Sequence, residues 1–585
     1  MFDYSRFRDA TELNWYESDW TMRHYVERDL APLREWGEKR LLDLGAYCAG
    51  PMNRRAAHTD RDGAPVLVRY DREGREVNEI RYNEGYLATV GDCYETGVVG
   101  WRYREDAPQK IPFFYTQMMF YLMSQAEVGF TCPVTLTMAV AFVLEKFGSE
   151  EQKRKYLPRL ASMDRNTLMQ GATLLTEIQG GSDVGAVSTC AVKEGNRWLL
   201  TGEKWFASNC DAGVSVILAR TGDIPGTKGL SLFLMPRELE NGEKNRISIR
   251  RLKDKLGVRA VPSGELILNG AEAELVGEEN QGFRYMAEAL NISRLCTATG
   301  SLALSRRAFL EAAVYASRRH AFGRPITDYP MVRQTLLDMI TDIEANWALA
   351  AEMIRRFDTV HTEGKETDAE TLRLRLWLAL AKYRCSEDAV SHTRAALELH
   401  GGNGYIEDFV TPRLLRDAQV NTVWEGTSNI MGLEVVKLLA KEAAARPDGG
   451  CLLLEDAERC LAAVTLPDLE RAKDIVSREI PKIREHVHRV VRADSLTQNA
   501  CARKLADELA DVCRAVRLLD EAQHAANTRG THRLAKLADY FVRRTWRPEE
   551  FGIGSGTLPS MELFDSAVRF EGETFGEPVR QENRK

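Results

Sequence analysis

The stretch NTVWEGTSNI, residues 421–430, sets one carboxylate, Glu425, between Trp424 and Gly426 and follows it with the hydroxyls of Thr427 and Ser428. A carboxylate beside an aromatic wall is chemically useful. Burial disfavours its ionised form, raises its pKa and so makes it a better proton acceptor. Gly426 allows the main chain to approach whatever the acid acts on. An arbitrary loop glutamate is usually solvated or ion-paired, so the meaning of Glu425 depends on its company.

Other chemistries find little support. The eleven cysteines form no CxxC pair and the ten histidines no HExxH, which speaks against a metal site or a disulfide framework. GGNGYIE (401–407) has an acid at the third Rossmann glycine, and GDIPGTKG misses the Walker spacing. The net charge of −7, from 79 basic and 86 acidic side chains, offers no global field for a polyanion. With 44% hydrophobic and 28% charged residues over 585 positions, the composition is that of a globular chain of two to four domains. The charged N-terminal stretch and the lack of about 18 uninterrupted apolar residues predict a cytoplasmic protein without a membrane span.

The elements that must position Glu425 follow from periodicity. Residues 1–165 read as helices, with long apolar patterns at 112–130 and 135–157 and a break expected at Pro133. Between 166 and 280 the period changes to short β-branched runs such as VSVILART, LSLFLMP and ELILNG, predicting an antiparallel sheet domain. Helical spacing returns over 281–442. Residues 443–450 (AAARPDGG) have a linker's composition, and 451–585 predict a further helical bundle ending in a loop or tail. The expected fold class is thus mainly α with a central β domain.

Seven strings in order carry a family resemblance: GSEEQKRKYLPRL, TEIQGGSD, TGEKWFASN, YASRRHAFGRPI with Gln334, LHGGNGY, RDAQV and WEGTSNIM. Across roughly residues 80–440 the chain resembles the acyl-CoA dehydrogenase flavoproteins. CPVTLTM (132–138), DREGREVNEIRY and the C-terminal extension are most similar to the branch containing AidB and its long-chain relatives. The resemblance implies a helical domain, an antiparallel β-barrel or sandwich and a four-helix bundle, with FAD held between sheet and bundle and shared across a subunit interface in a dimer or homotetramer. It also implies α,β-dehydrogenation of an acyl-CoA thioester in fatty acid metabolism. A carboxylate removes the α proton while hydride leaves the β carbon for flavin N5, and an electron-transferring flavoprotein is the expected oxidant.

Carried over residue by residue, the resemblance makes Glu425 the base. The alternative base position of some members is occupied by Ser293, and Arg294 matches the arginine near the active site. Ser182 is assigned to substrate or cofactor phosphates. Thr176, Gly181, Phe206 and Ser208 are assigned to the flavin, with Trp424 and Thr427 beside it. Arg319, Phe322, Gln334, Gly401 and Gly402 are assigned to the pyrophosphate and adenine end. Two departures are Ile178, where proline is usual, and Glu398, where glutamine usually contacts FAD. Met118, Met119 and Met123 read as acyl-pocket lining or as core packing.

Two other readings stay open: a flavin oxidase or oxygenase on the same fold, and an AidB-like flavoprotein with weak dehydrogenase activity and a DNA-binding or protective role. The C-terminal region holds 22 basic and 23 acidic side chains, which disfavours nucleic acid. Only Arg533, Lys536, Arg543, Arg544 and Arg547 form a local basic cluster.

Overall fold

The structure, a computed structural model, describes residues 1–195, 197–446 and 449–573. The longer helices, in chain order, are α1 (Trp20–Asp29), α2 (Arg34–Tyr47), α3 (Asn53–Arg61), α4 (Glu84–Glu95), α5 (Phe113–Ala126), α6 (Val128–Phe147), α7 (Glu150–Leu160) and α8 (Gly282–Arg318). They continue with α9 (Pro330–His361), α10 (Asp368–Leu399), α11 (Thr411–Asn421), α12 (Ser428–Ala445), α13 (Leu452–Ala463), α14 (Glu470–Arg492), α15 (Ser495–Arg529) and α16 (Arg533–Trp546). Two compact units result. One comprises 51–111 and 126–296; the other comprises 1–50, 112–125 and the chain from 297 onward.

In the first unit a hairpin of β1 (Val66–Tyr70) and β2 (Glu76–Arg81) interrupts the helices expected over 1–165. A seven-stranded sheet follows: β3 (Gly171–Leu174), β4 (Cys190–Glu194), β5 (Arg197–Ser208), β6 (Val214–Arg220), β7 (Leu230–Pro236), β8 (Ile247–Leu252) and β9 (Ser263–Val276). The order β6-β4-β5-β9-β7 closes through the β6–β7 pairing, with β3 added on β6 and β8 on β9. The expected purely antiparallel sheet is corrected at β6, which pairs in parallel with β4 at Cys190↔Arg220 and with β3 from Gly171↔Val214 to Leu174↔Ile217. β3 and β6 are separated by a long connection that includes β4 and β5, so hairpin geometry does not constrain them. β6 and β7 are buried almost end to end, which explains their unbroken apolar runs.

The break expected at Pro133 lies elsewhere. α6 starts at Val128, capped by the Glu127 side chain accepting from Gly129 N–H at 3.3 Å, and carries Pro133 inside it. A second break falls at Gly148, where Ser149 and Gln152 form a capping box that starts α7. α6 has the length and composition of a membrane span, yet 89% of its most apolar window is buried inside the protein.

In the second unit α1, α5 and α9 share one aromatic core. Trp347 packs against Tyr25 at 5.2 Å and Tyr121 at 4.7 Å, and Phe113 meets Phe357 edge-on at 4.7 Å. This packing explains why 1–50 and 112–125 cluster with the bundle rather than with the rest of a 1–165 domain. Met118, Met119 and Met123 on α5 are fully buried.

The C-terminal helices are one body with this bundle. On α9, Arg355 reaches Asp29 of α1 (2.6 Å) and Glu521 of α15 (2.9 Å), and His24 and Arg28 of α1 also meet Glu521. Burial alone would raise the Glu521 carboxyl; Arg355, His24 and Arg28 instead hold it far below the usual carboxylate range. The basic cluster is used in the same way. Arg533 pairs with Glu344 (2.7 Å), Arg543 with Asp539 (3.0 Å) and Glu550 (2.6 Å), Arg544 with Asp338 (2.8 Å), and Arg547 with Glu479 (3.5 Å), leaving Lys536 exposed. Of the linker, 447 and 448 lie outside the described residues, as do 574–585 of the predicted tail. The segment before that tail is packed: Phe564, Val568 and Phe570 are buried, and Tyr4 Oη donates to the Val568 carbonyl at 3.1 Å.

Candidate active site

In the sheet unit the chain leaves β3 into the loop carrying Thr176, Gly181 and Ser182. The hub of this loop is Glu177, which the sequence reading passed over. Its buried carboxylate accepts from Ser188 N–H (2.7 Å) and Oγ (2.7 Å), Thr189 N–H (3.1 Å) and Oγ1 (2.5 Å), and Lys204 Nζ (2.8 Å). Burial opposes its charge, but Lys204 and these donors hold the carboxyl far below its ordinary range. Lys204 is equally buried and also donates to the Leu218 carbonyl at 3.1 Å; burial pulls its ammonium below the ordinary lysine value. Both residues stand inside strings read from the sequence, TEIQGGSD and TGEKWFASN, and a buried acid–base pair linking two motifs is the signal that spacing alone does not reveal.

Trp205 N–H donates to the Thr176 carbonyl at 2.9 Å, tying the loop to β5. There the β5–β9 register shifts between Lys204 and Ala207. Such an irregularity re-aims side chains, and here consecutive Trp205 and Phe206 both escape the core, Phe206 with 57% of its surface exposed. Lys253 Nζ sits 3.4 Å from the Trp205 ring centroid and 4.8 Å from that of Phe206. Ser208 Oγ is 3.2 Å from Ser263 Oγ. A Cβ on Gly181 would come within 2.5 Å of Thr176 Oγ1, so this glycine is required by close approach. Gly181→Ala is expected to push Thr176 aside and weaken FAD retention at least about tenfold, an effect of roughly 1.4 kcal/mol, measured as the flavin dissociation constant of the purified protein. Arg294 lies half-buried on α8, next to buried Ser293.

In the helical unit Glu425 occupies the turn between α11 and α12, half-buried, with a left-handed φ of 57°. For a residue with a Cβ this costs about 1 kcal/mol, and such strain concentrates at functional positions. Gly426 follows at φ 101°. Three anchors hold the turn. Buried Lys382 of α10 donates to the Gly426 carbonyl at 2.5 Å; Asn421 Nδ2 donates to Ser301 Oγ at 2.9 Å; and Thr427 caps α12, its hydroxyl accepting from Ile430 N–H. Lys382 and Ser301 come from helices distant in sequence and lie in none of the seven strings, so no motif exposes them. The buried Trp424 Nε1 has no hydrogen-bond partner among the described residues.

The remaining assigned residues are placed less uniformly. Arg319 precedes a tight hairpin of β10 (His320–Ala321) and β11 (Arg324–Pro325), and Phe322 lies in its turn, where Phe322 and Gly323 have φ of 50° and 85°. The Phe322 ring is 97% exposed. Gly401, at φ 58°, and Gly402 are exposed, with open space where a Cβ would stand. Glu398 is exposed and paired with Arg394 at 3.2 Å, which neutralises the unusual carboxylate. Within the chain the Gln334 amide donates to Tyr540 Oη (2.6 Å) and Asp338 (3.1 Å), so it braces α16. Among the described residues no cluster of His, Cys, Asp and Glu could hold a metal ion.

The observed side chains fit a flavin. In the sheet unit, an exposed aromatic ring at a strand irregularity and a loop with side-chain-free approach at Gly181 are features a large planar, polar-edged cofactor would satisfy.

Known proteins agree. Residues 7–166 match the adaptive response protein AidB N-terminal domain, 172–271 the acyl-CoA dehydrogenase middle domain and 280–448 the acyl-CoA dehydrogenase C-terminal domain. The putative acyl-CoA dehydrogenase AidB of Escherichia coli is 32% identical over 74% of this chain and 79% of its own length. Acyl-CoA dehydrogenase family member 11 of Caenorhabditis elegans is 30% identical over 79% of this chain and 76% of its own. The crystal structure of C. elegans ACDH-11 in complex with C11-CoA superposes with a TM-score of 0.81 at 27% identity, covering 93% of this chain and 96% of that one. The chain belongs to the acyl-CoA dehydrogenase family, in the branch that includes AidB.

Proposed function

We propose that this protein catalyses FAD-dependent α,β-dehydrogenation of an acyl-CoA thioester, with Glu425 as the base. The observation that carries this reading is the strained turn at Glu425, held by buried Lys382 and flanked by Trp424 with its unpartnered Nε1. When bound, FAD supplies the acceptor for the hydride that leaves the β carbon. The chain supplies the rest. Glu425 takes the α proton, and the apolar face of Trp424 limits hydration of the carboxylate, favouring proton transfer. The loop from Thr176 to Ser182, held rigid by the Glu177–Lys204 pair, and the exposed Phe206 ring provide a preformed flavin seat. Arg319, Phe322, Gly401 and Gly402 are available for the dinucleotide end, in an assembly of two or four copies. An electron-transferring flavoprotein is the proposed reoxidant, and the cytoplasm the proposed compartment.

The test is anaerobic addition of straight and branched acyl-CoAs of graded length to the FAD-loaded protein. The account expects at least one to bleach the oxidised flavin band. Absence of bleaching throughout, together with salt-dependent binding of duplex DNA, would favour the binding-protein alternative. The internal pairing of Arg533, Arg543, Arg544 and Arg547 predicts that such DNA binding is absent at physiological salt.

A further inference from the structure

A second cleft, of about 190 Å³, lies wholly within the sheet unit, between α4, the segment entering β3 and the turn that leads into β6. None of Thr176, Gly181, Ser182, Phe206 and Ser208 lines it, although Asn209 of its wall follows Ser208 directly. Trp205 is tied to Thr176 beyond one end of β3, whereas Asn209 Nδ2 donates to the Gly171 carbonyl at the other, at 3.1 Å. Along β3 the five steps from Gly171 to Thr176 span about 17 Å at roughly 3.3 Å per residue. No step of the proposed reaction uses the cleft.

Its polar groups are incompletely satisfied. Asp211 accepts from Tyr82 Oη at 2.7 Å and has no ion-pair partner among the described residues. Burial raises its carboxyl above the ordinary range, with the Tyr82 hydrogen bond and Arg237 opposing that only in part. Arg237 itself is held by the carbonyls of Asn78 (2.7 Å) and Cys210 (3.3 Å). Tyr86, with 4% of its surface exposed, makes no side-chain hydrogen bond among the described residues and stacks on Tyr82 with ring centroids 4.9 Å apart. Donation from Tyr82 to a carboxylate enriches its ring in electron density, which strengthens attraction for a cation. On the rim, exposed Arg159 ends α7. Its carbonyl accepts from Met169 N–H at 3.0 Å, while its guanidinium has no partner among the described residues.

An acid short of a cation, a tyrosine pair and an unpaired arginine are thus joined by an apolar wall that includes Val90, Met169 and Ala212. The volume lies below the roughly 300 Å³ at which sites for drug-sized ligands begin, which restricts the ligand to a compact molecule. We propose that this cleft binds a small amino-acid-type zwitterion, its ammonium on Asp211 beside Tyr82, its short aliphatic body along Val90 and Met169, and its carboxylate on Arg159. Such a ligand supplies the cation that Asp211 lacks and the anion that Arg159 lacks.

The proposal is tested on the FAD-loaded full-length protein by saturation-transfer NMR titration with 5-aminopentanoate, n-butylammonium and pentanoate. The expected result is saturable binding of 5-aminopentanoate, at least about tenfold tighter than either singly charged compound, with an unchanged flavin spectrum. Asp211→Asn should remove the advantage over pentanoate, and Arg159→Gln, at an exposed position, the advantage over n-butylammonium. Flavin content and circular dichroism establish that each variant is folded; should Asp211→Asn fail to fold, Arg159→Gln alone decides. No saturable binding, equal affinity for pentanoate, insensitivity to Arg159→Gln or a flavin spectrum that titrates with the ligand would each overturn the proposal.

Discussion

Glu425→Gln is expected to retain FAD and the native fold while losing acyl-CoA-dependent flavin reduction by about 10³-fold or more. A positioned general base contributes about 10²–10⁴-fold, and the upper part of that range applies because the α carbon of a thioester is a very weak acid. Glutamine preserves the side chain's shape, and the turn is also held by Lys382, Asn421 and Thr427 through groups other than the Glu425 carboxylate. Ligand binding is therefore expected to survive. Anaerobic stopped-flow measurement of flavin bleaching, with acyl-CoA affinity read separately from the spectral shift on binding, separates loss of chemistry from loss of substrate. Unchanged bleaching would remove Glu425 from the mechanism.

The second large effect is expected at Lys204. Lys204→Met leaves the buried Glu177 carboxylate without its cation, and breaking one side of a buried pair costs about 3–5 kcal/mol. The damage falls on the loop that carries Thr176, Gly181 and Ser182, so flavin should be released at much lower temperature than in the wild type. The double variant Lys204→Met, Glu177→Gln is expected to recover part of the loss by removing the stranded charge. The pH dependence gives an independent check. In the wild type the folded Glu177 carboxyl lies below its unassociated value of about 4.5, so its contribution is complete above that pH and declines as pH falls towards the folded pKa. In Lys204→Met the carboxyl has lost its main stabilising charge and burial dominates, so the variant should hold flavin better at pH 5 than at pH 8. Flavin fluorescence during thermal ramps at the two pH values measures this. A variant as stable as the wild type at pH 8 would show that the pair does not support the loop.

The reach of sequence reasoning differs from one element to the next. The β strands from 190 to 276 are legible because short β-branched runs alternate with turns, and Glu425 is legible because a carboxylate between tryptophan and glycine is an unusual local arrangement. The parallel β3–β6 pairing is not legible, since register between strands some forty residues apart is set by tertiary packing rather than local pattern. Pro133 misleads for a similar reason. A proline inside a helix removes one ladder donor, but the burial of nearly all of α6 offsets that cost. Lys382 and Lys204 read as ordinary surface lysines, because lysine is rarely buried unless paired; only the fold supplies Gly426 and Glu177 as their partners. Gln334 illustrates the converse, a family position whose amide is engaged by Tyr540 from a helix outside the family's shared segment.

The most direct measurement separates proton abstraction from electron transfer. A 3-thia-acyl-CoA has an α methylene but sulfur at the β position, so it can lose a proton and cannot lose hydride. Incubated with FAD-loaded enzyme in deuterated water and analysed by mass spectrometry, it should take up deuterium at the α carbon with the wild type and at no more than the uncatalysed rate with Glu425→Gln. Equal exchange by both proteins would contradict the assignment of Glu425 as the base.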